Sequence, residues 1–192
     1  MLLHAVVERL ADAWRSTVVW IRRSPVVSIA DNYDRLLYSA EATVRDARHT
    51  RYVCDTAVLR TQTTSMVPGA LRELAREAAG AADVLLVCPG VVYRRDAIDR
   101  IHSGEPHQVD LWRIRRGAPL GSDDLAEMIG LVAAAALPGR RWSATPAAHT
   151  YTQSGLQIDV EDGASSLEIG ECGLAGPAIL AGAGLPVPGT SG

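Results

Sequence analysis

Apolar residues recur at intervals of three and four between Leu2 and Trp14, with Leu3, Val6, Val7, Leu10, Ala11 and Trp14 falling on one side. That is the period of a helix that buries one face, so the spacing predicts an amphipathic opening helix. Two short β-branched runs follow, Thr17 to Ile21 and Val26 to Ala30, parted by Arg22-Arg23-Ser24-Pro25. They predict two extended segments around a turn. From Asn32 to Val53 neither period persists, and the stretch reads as irregular, polar and exposed. A helical pattern returns from Pro68 to Ala79, with Ser65 as its cap and Gly80 as its stop.

Asp83 then leads into Val84-Leu85-Leu86-Val87-Cys88, a continuous apolar run of strand length that predicts burial on both faces. The strand resumes at Val91 to Arg94 after Pro89-Gly90, and a charged loop occupies Arg95 to Glu105. His107 to Arg115 alternates, with Val109, Leu111 and Arg113 on one face and Gln108, Asp110, Trp112 and Ile114 on the other. The natural reading is two antiparallel strands joined by that loop. Ser122-Asp123-Asp124 caps a third helix ending near Leu137, stopped by Pro138-Gly139. Tyr151 to Val160 and Leu167 to Cys172 are further strands, split by Asp162-Gly163-Ala164, and Gly182 onward is glycine and proline punctuation. No internal repeat or domain boundary is visible. This order predicts a single α+β domain spanning 1–192, an antiparallel β-sheet flanked by helices.

Composition narrows the chemistry. The chain has 192 residues, is 47% hydrophobic, carries a formal net charge of −3 and contains no lysine. It lacks the general basic field that drives indiscriminate nucleic-acid binding, so any nucleic-acid contact would be local. Cys54, Cys88 and Cys172 have neither CxxC spacing nor an even count, which argues against a zinc knuckle or a disulfide framework and for a reducing cytoplasm. The longest apolar run, Met128 to Leu137, is about half of what a bilayer needs. His4, Glu8 and Asp12 interrupt the N-terminal stretch at helical spacing, which does not read as a secretion signal.

The most informative stretch is VCPGVVYRRDAIDRIHSGEPHQVDLWRI, residues 87 to 114, where charged side chains leave the end of a buried strand. Arg94 comes directly off that strand, and a planar guanidinium there can fork onto a phosphate. Gln108 and Asp110 are two apart and share a face, giving an amide and a carboxylate able to grip an ammonium group. The bland alternative is a structural Arg94–Asp96 ion pair, with Gln108 and Asp110 facing water.

This stretch resembles motif 2 of class II aminoacyl-tRNA synthetases, in the form found in the phenylalanyl α subunit. SPVVSIADNYDRL and RDARHTRYV are similar to that family's first motif and the segment after it, and VLRTQTTSM to its LRT-x-T segment. HTYTQSGLQIDV and LEIGECGLAGP are similar to the strands that line its amino-acid pocket. The resemblance implies ATP-dependent aminoacyl-adenylate formation with Mg²⁺, with tRNA or another, small acceptor taking the activated amino acid. Arg94 would be the catalytic cation on the α-phosphate and the carboxylate being activated, with Asp96 and His102 completing the ATP loop. Thr64, Gln108, Asp110, His149 and Tyr151 would hold the amino acid, and Glu168 would serve ATP and the metal. A homodimer through the opening helix and the strand after it is also implied.

The departures carry their own expectations. Pro106 stands where the family stacks a phenylalanine on adenine, Gln62 replaces a histidine, and Asp96 replaces a glutamate. His149 and Tyr151 replace two pocket phenylalanines, implying a more polar pocket in which phenylalanine is not the preferred ligand. The sequence ends before anything that resembles motif 3, so an incomplete core is expected. The competing expectation is a synthetase-derived binding or regulatory protein without turnover.

Overall fold

The computed structural model describes residues 2–77, 80–95, 103–163 and 165–187. They form two compact units, one built from the chain up to Val18, Ala81–Leu85 and Ile114–Gly176, the other from Val19–Gly80, Leu86–Arg113 and the chain from Pro177.

In the first unit, α1 (Leu2–Trp14) follows the expected helical face, burying Val6, Val7 and Leu10. Each such aliphatic side chain contributes about 2 kcal/mol relative to exposure. It packs against α4 (Ser122–Ala136), and the Trp14 indole donates to Glu127 at 2.7 Å. The turn that starts α4 is closed by Asp124, whose carboxylate accepts the Gly121 N–H at 2.9 Å. Beside α4 lies an antiparallel sheet of β7 (Trp142–Pro146), β8 (Thr152–Asp162) and β9 (Ser165–Ala175), in that order. Leu125 and Ile129 of α4 meet Ile158 of β8, with Leu156, Cys172 and Leu174 packed around them.

A three-stranded sheet in the order β1 (Thr17–Trp20), β5 (Asp83–Val91), β6 (His107–Arg115) has residues in both units. Its apolar centre, Val84 to Cys88, is buried as the run implied. Hydrogen bonds from Arg116 N–H to Ala82, from Val92 N–H to Pro106 and from Arg94 N–H to Gly104 descend in step, so β5 and β6 are antiparallel. The strand passes through Pro89-Gly90 without a break.

The second unit adds an antiparallel sheet in the order β2 (Val26–Ser28), β4 (Ala57–Leu59), β3 (Tyr52–Cys54), the one-turn helix α2 (Ile29–Asn32), and α3 (Val67–Arg76). A short helix, α5 (Pro177–Gly182), begins the C-terminal segment.

Two expectations are corrected here. The stretch from Asn32 to Val53 is irregular, but it is not simply exposed: Asn32, Tyr33, Leu36 and Thr50 are fully buried. The Tyr33 and Thr50 hydroxyls bond each other and converge on the Val44 carbonyl, which is how a chain without a period is held in the core. Ser65 does not cap α3 either. A 3-10 turn over Thr63–Met66 precedes the helix, the Ser65 hydroxyl donates to the Gln62 carbonyl at 2.9 Å, and Pro68 fills the first turn. Ala78 and Ala79, the expected end of that helix, lie outside the described residues.

Candidate active site around the Thr61–Thr64 turn

Three segments of the second unit meet at the turn that follows β4. Directly after β4 comes Arg60, only 5% exposed. Its Nε donates to the Val91 carbonyl at 2.8 Å, and Nη1 to the Arg23 carbonyl at 3.3 Å and the Met66 sulfur at 3.4 Å. The Arg60 carbonyl in turn accepts the Tyr93 N–H at 2.9 Å. Its partners are neutral, and burial lowers the pKa of the guanidinium. Arg60 thereby ties the chain just after β4 to Val91 at the end of β5 and to Tyr93, the residue before Arg94. Gly90 makes this possible, because a Cβ there would lie 2.0 Å from Arg60 Nη2.

Arg94 itself is half-buried just beyond β5. Its Nε donates to the Thr61 carbonyl at 3.0 Å. Thr61 is also held by Asn32, whose Nδ2 donates to Thr61 Oγ1 at 2.9 Å and whose Oδ1 accepts the Thr61 N–H at 3.2 Å. The next side chain, Gln62, donates to the Asn32 carbonyl at 3.2 Å.

Two residues further on, the Thr64 hydroxyl bonds Asp110, which also takes a hydrogen bond from Trp112 on the same face of β6. The other carboxylate oxygen, Oδ2, is shut away from solvent with no partner. Burial raises the Asp110 pKa, more than the two hydrogen bonds lower it. Gln108 lies two residues before Asp110 on that face, half-buried. Behind them the Cys88 thiol is pushed up to about 12, first by burial and then by the Asp110 charge, so it is not a thiolate nucleophile near neutral pH.

The turn is thus bracketed by a guanidinium on one side and a carboxyl group on the other. A cleft of about 320 Å³ in the same unit is lined by other residues, among them Arg23, Asp31, Met66 and Glu73, and not by Arg94, Gln108 or Asp110.

The remaining sequence candidates lie outside the described residues or in the first unit. Asp96 and His102 lie outside the described residues. His149 and Tyr151 occupy the β7–β8 connection of the first unit, their rings 6.3 Å apart and within 29° of parallel. His149 Nδ1 lies 3.2 Å from the Thr152 hydroxyl in a hydrogen bond, while Nε2, 3.1 Å from a Glu171 carboxylate oxygen, is buried without one. Glu168 is exposed on β9, opposite Asp159 of β8. Among the described residues no three His, Cys, Asp or Glu side chains converge as a metal cage. One protein carboxylate is enough for Mg²⁺, which keeps its waters and binds largely through substrate phosphates.

Asn32 and Arg60 were not singled out from the sequence. Asn32 bonds the hydroxyl and the backbone N–H of Thr61, and Arg60 bonds the Val91 carbonyl, partners about thirty residues away that no local period encodes.

The family model for the class II core domain (F) of tRNA synthetases matches residues 2–192, and the chain belongs to that family. Within it, the chain is 30% identical over 191 residues to the phenylalanine–tRNA ligase α subunit of Prochlorococcus marinus (strain MIT 9313), covering 95% of this chain and 52% of that one. The corresponding subunit of Synechocystis sp. (strain ATCC 27184 / PCC 6803 / Kazusa) is 29% identical over 182 residues, with 93% and 52% covered. The chain therefore spans about half the length of the curated relatives it matches. A crystal structure of pyrrolysyl-tRNA synthetase from Desulfitobacterium hafniense aligns with a TM-score of 0.61 at 16% identity, over 86% of this chain and 56% of that one, a likeness of fold. Among the described residues no helix is long and apolar enough to cross a membrane.

Proposed function

We propose that the chain carries the amino-acid-activating part of a synthetase of the phenylalanine–tRNA ligase α lineage. The observation that supports this most directly is the bracketed turn: Arg94 on the Thr61 carbonyl, and Asp110 on the Thr64 hydroxyl with one carboxylate oxygen left unpaired. A guanidinium suits the α-phosphate of ATP, and an unpaired buried carboxylate suits an α-ammonium group.

In the reaction, a carboxylate oxygen of the amino acid attacks the α-phosphorus, the bond to pyrophosphate breaks, and an aminoacyl adenylate forms. No protein nucleophile is required. Arg94 neutralises charge on the phosphate and the attacking carboxylate, while Gln108, Asp110 and Thr64 hold the ammonium end still, so that positioning and electrostatics supply most of the acceleration. Asp96 and His102 in the ATP loop, and Glu168 with His149 and Tyr151 on the first unit, are assigned from the resemblance. Bound Mg²⁺ would neutralise charge on the phosphates, with Glu168 as its protein ligand.

The partners in this reading are ATP, an amino acid other than phenylalanine, and tRNA contacted locally or through a further chain, with a cytoplasmic setting. A second copy meeting this one through α1 and β1 completes it; light scattering at high concentration is expected to return a dimer, and a monomer contradicts that contact. Amino-acid-dependent exchange of pyrophosphate into ATP tests the reaction itself. Pro106 favours a second reading, a binding module without turnover, because proline is a poor platform for adenine. Calorimetry showing amino-acid affinity with no ATP affinity selects it.

A further inference from the structure

Asn32 is fully buried, yet the hydrogen bonds of its side chain go to one residue, Thr61, from both ends of the carboxamide. Its own carbonyl accepts from Gln62 at 3.2 Å. A buried amide bonded at one end to the backbone N–H and at the other to the side-chain hydroxyl of a single residue fixes that residue in translation and in rotation. Thr61 is also the residue whose carbonyl accepts Arg94 Nε at 3.0 Å, and the same turn delivers the Thr64 hydroxyl to Asp110.

We propose that Asn32 is a positioning residue for the candidate site: by locking Thr61 it aims the Arg94 guanidinium and sets the Thr64 hydroxyl against Asp110. Its functional meaning rests on the reading of Arg94 as the phosphate-binding cation. Its physical content, control of Arg94 through a carbonyl, does not.

Asn32 is fully buried and bonds Thr61 and Gln62, so its effect on the site passes through the turn. It acts because Arg94 carries a long, rotamer-rich side chain whose Nε is tied to one carbonyl, so a displaced carbonyl releases the whole guanidinium. The residue lies in α2, at the start of the stretch without a period, which gives that buried but irregular segment a task in the site.

The test uses the full chain with ¹⁵N-labelled arginine, the Arg94 Nε–H signal being assigned by its loss in Arg94→Lys. Asn32→Leu keeps roughly the volume and removes both side-chain bonds; Thr61→Val removes only the hydroxyl partner. In Asn32→Leu, Arg94 Nε–H exchange is expected to rise about tenfold and ATP affinity by calorimetry to fall about tenfold, the usual scale for groups that orient a ligand-binding residue. Thr61→Val is expected to produce the same changes at about a third of the size. Amide exchange at Leu10 and Ile158, in the other unit, is expected to stay as in the wild type, which separates positioning from general loosening. An unchanged Arg94 Nε–H in folded Asn32→Leu overturns the proposal. If that variant fails to fold, an unchanged signal in Thr61→Val does so. If the wild type binds no ATP, the proposed function falls, while the Nε–H measurement still decides whether Asn32 positions Arg94.

Discussion

At position 110 two demands oppose each other. To hold an ammonium group the carboxyl must be ionised, yet burial raises its pKa, and Thr64 and Trp112 offset this only in part. Folded Asp110 therefore keeps its proton to higher pH than the unfolded chain does. The stability it confers is complete below the ordinary carboxylate range and is lost as pH rises through the raised folded value. Asp110→Asn removes that titration. Thermal unfolding of the variant is expected to be less sensitive to pH than the wild type above pH 4, and its stability near neutral pH higher by on the order of 1 kcal/mol, because a buried charge with an unpaired oxygen is gone. Amino-acid binding is expected to be lost in the same protein. A variant that unfolds earlier than the wild type at neutral pH would mean that the carboxylate is a structural anchor instead. Cys88 fits the same environment: its raised pKa keeps it a neutral thiol against the carboxylate.

Elements that follow a local period were legible in the sequence. The face of α1, the buried run of β5 and the alternation of β6 all emerge from spacing, and Gln108 and Asp110 were found because a period of two places them together. Arg94 was legible as a charge leaving a buried strand. Contacts made by side chains with distant backbone were not. The 3-10 turn before α3 displaced Ser65 from its expected role, β7 gave no clear alternation, and Asn32 was read as polar and exposed although it is buried.

The junction of β4 and β5 shows what such contacts demand of an element. Gly90 leaves room for the Arg60 guanidinium, and a methyl group there meets Arg60 Nη2 at 2.0 Å and Cζ at 2.6 Å. Gly90→Ala is expected to cost about 1–3 kcal/mol in denaturant unfolding, as overpacking does. Because Arg60 rather than the strand is the obstacle, the added cost of Gly90→Ala is expected to shrink in an Arg60→Ala background. Equal costs in both backgrounds would show that the strand cannot accept a side chain at position 90 for another reason.

For the molecule as a whole, the family is fixed by a match over residues 2–192, and the chain spans about half the length of its curated relatives. What the second unit supplies is a turn with a cation and a carboxyl group on its two sides, and the reading of that turn as an activation site is the claim on which the rest depends. Pyrophosphate exchange into ATP, measured with each of the twenty amino acids for the wild type and for Arg94→Ala, tests it most directly. The account requires exchange with at least one amino acid, and a loss of about a hundredfold or more in Arg94→Ala, the scale seen when a preorganised charge-stabilising donor is removed. Silence of the wild type with all twenty, or exchange that survives the loss of the guanidinium, would contradict it.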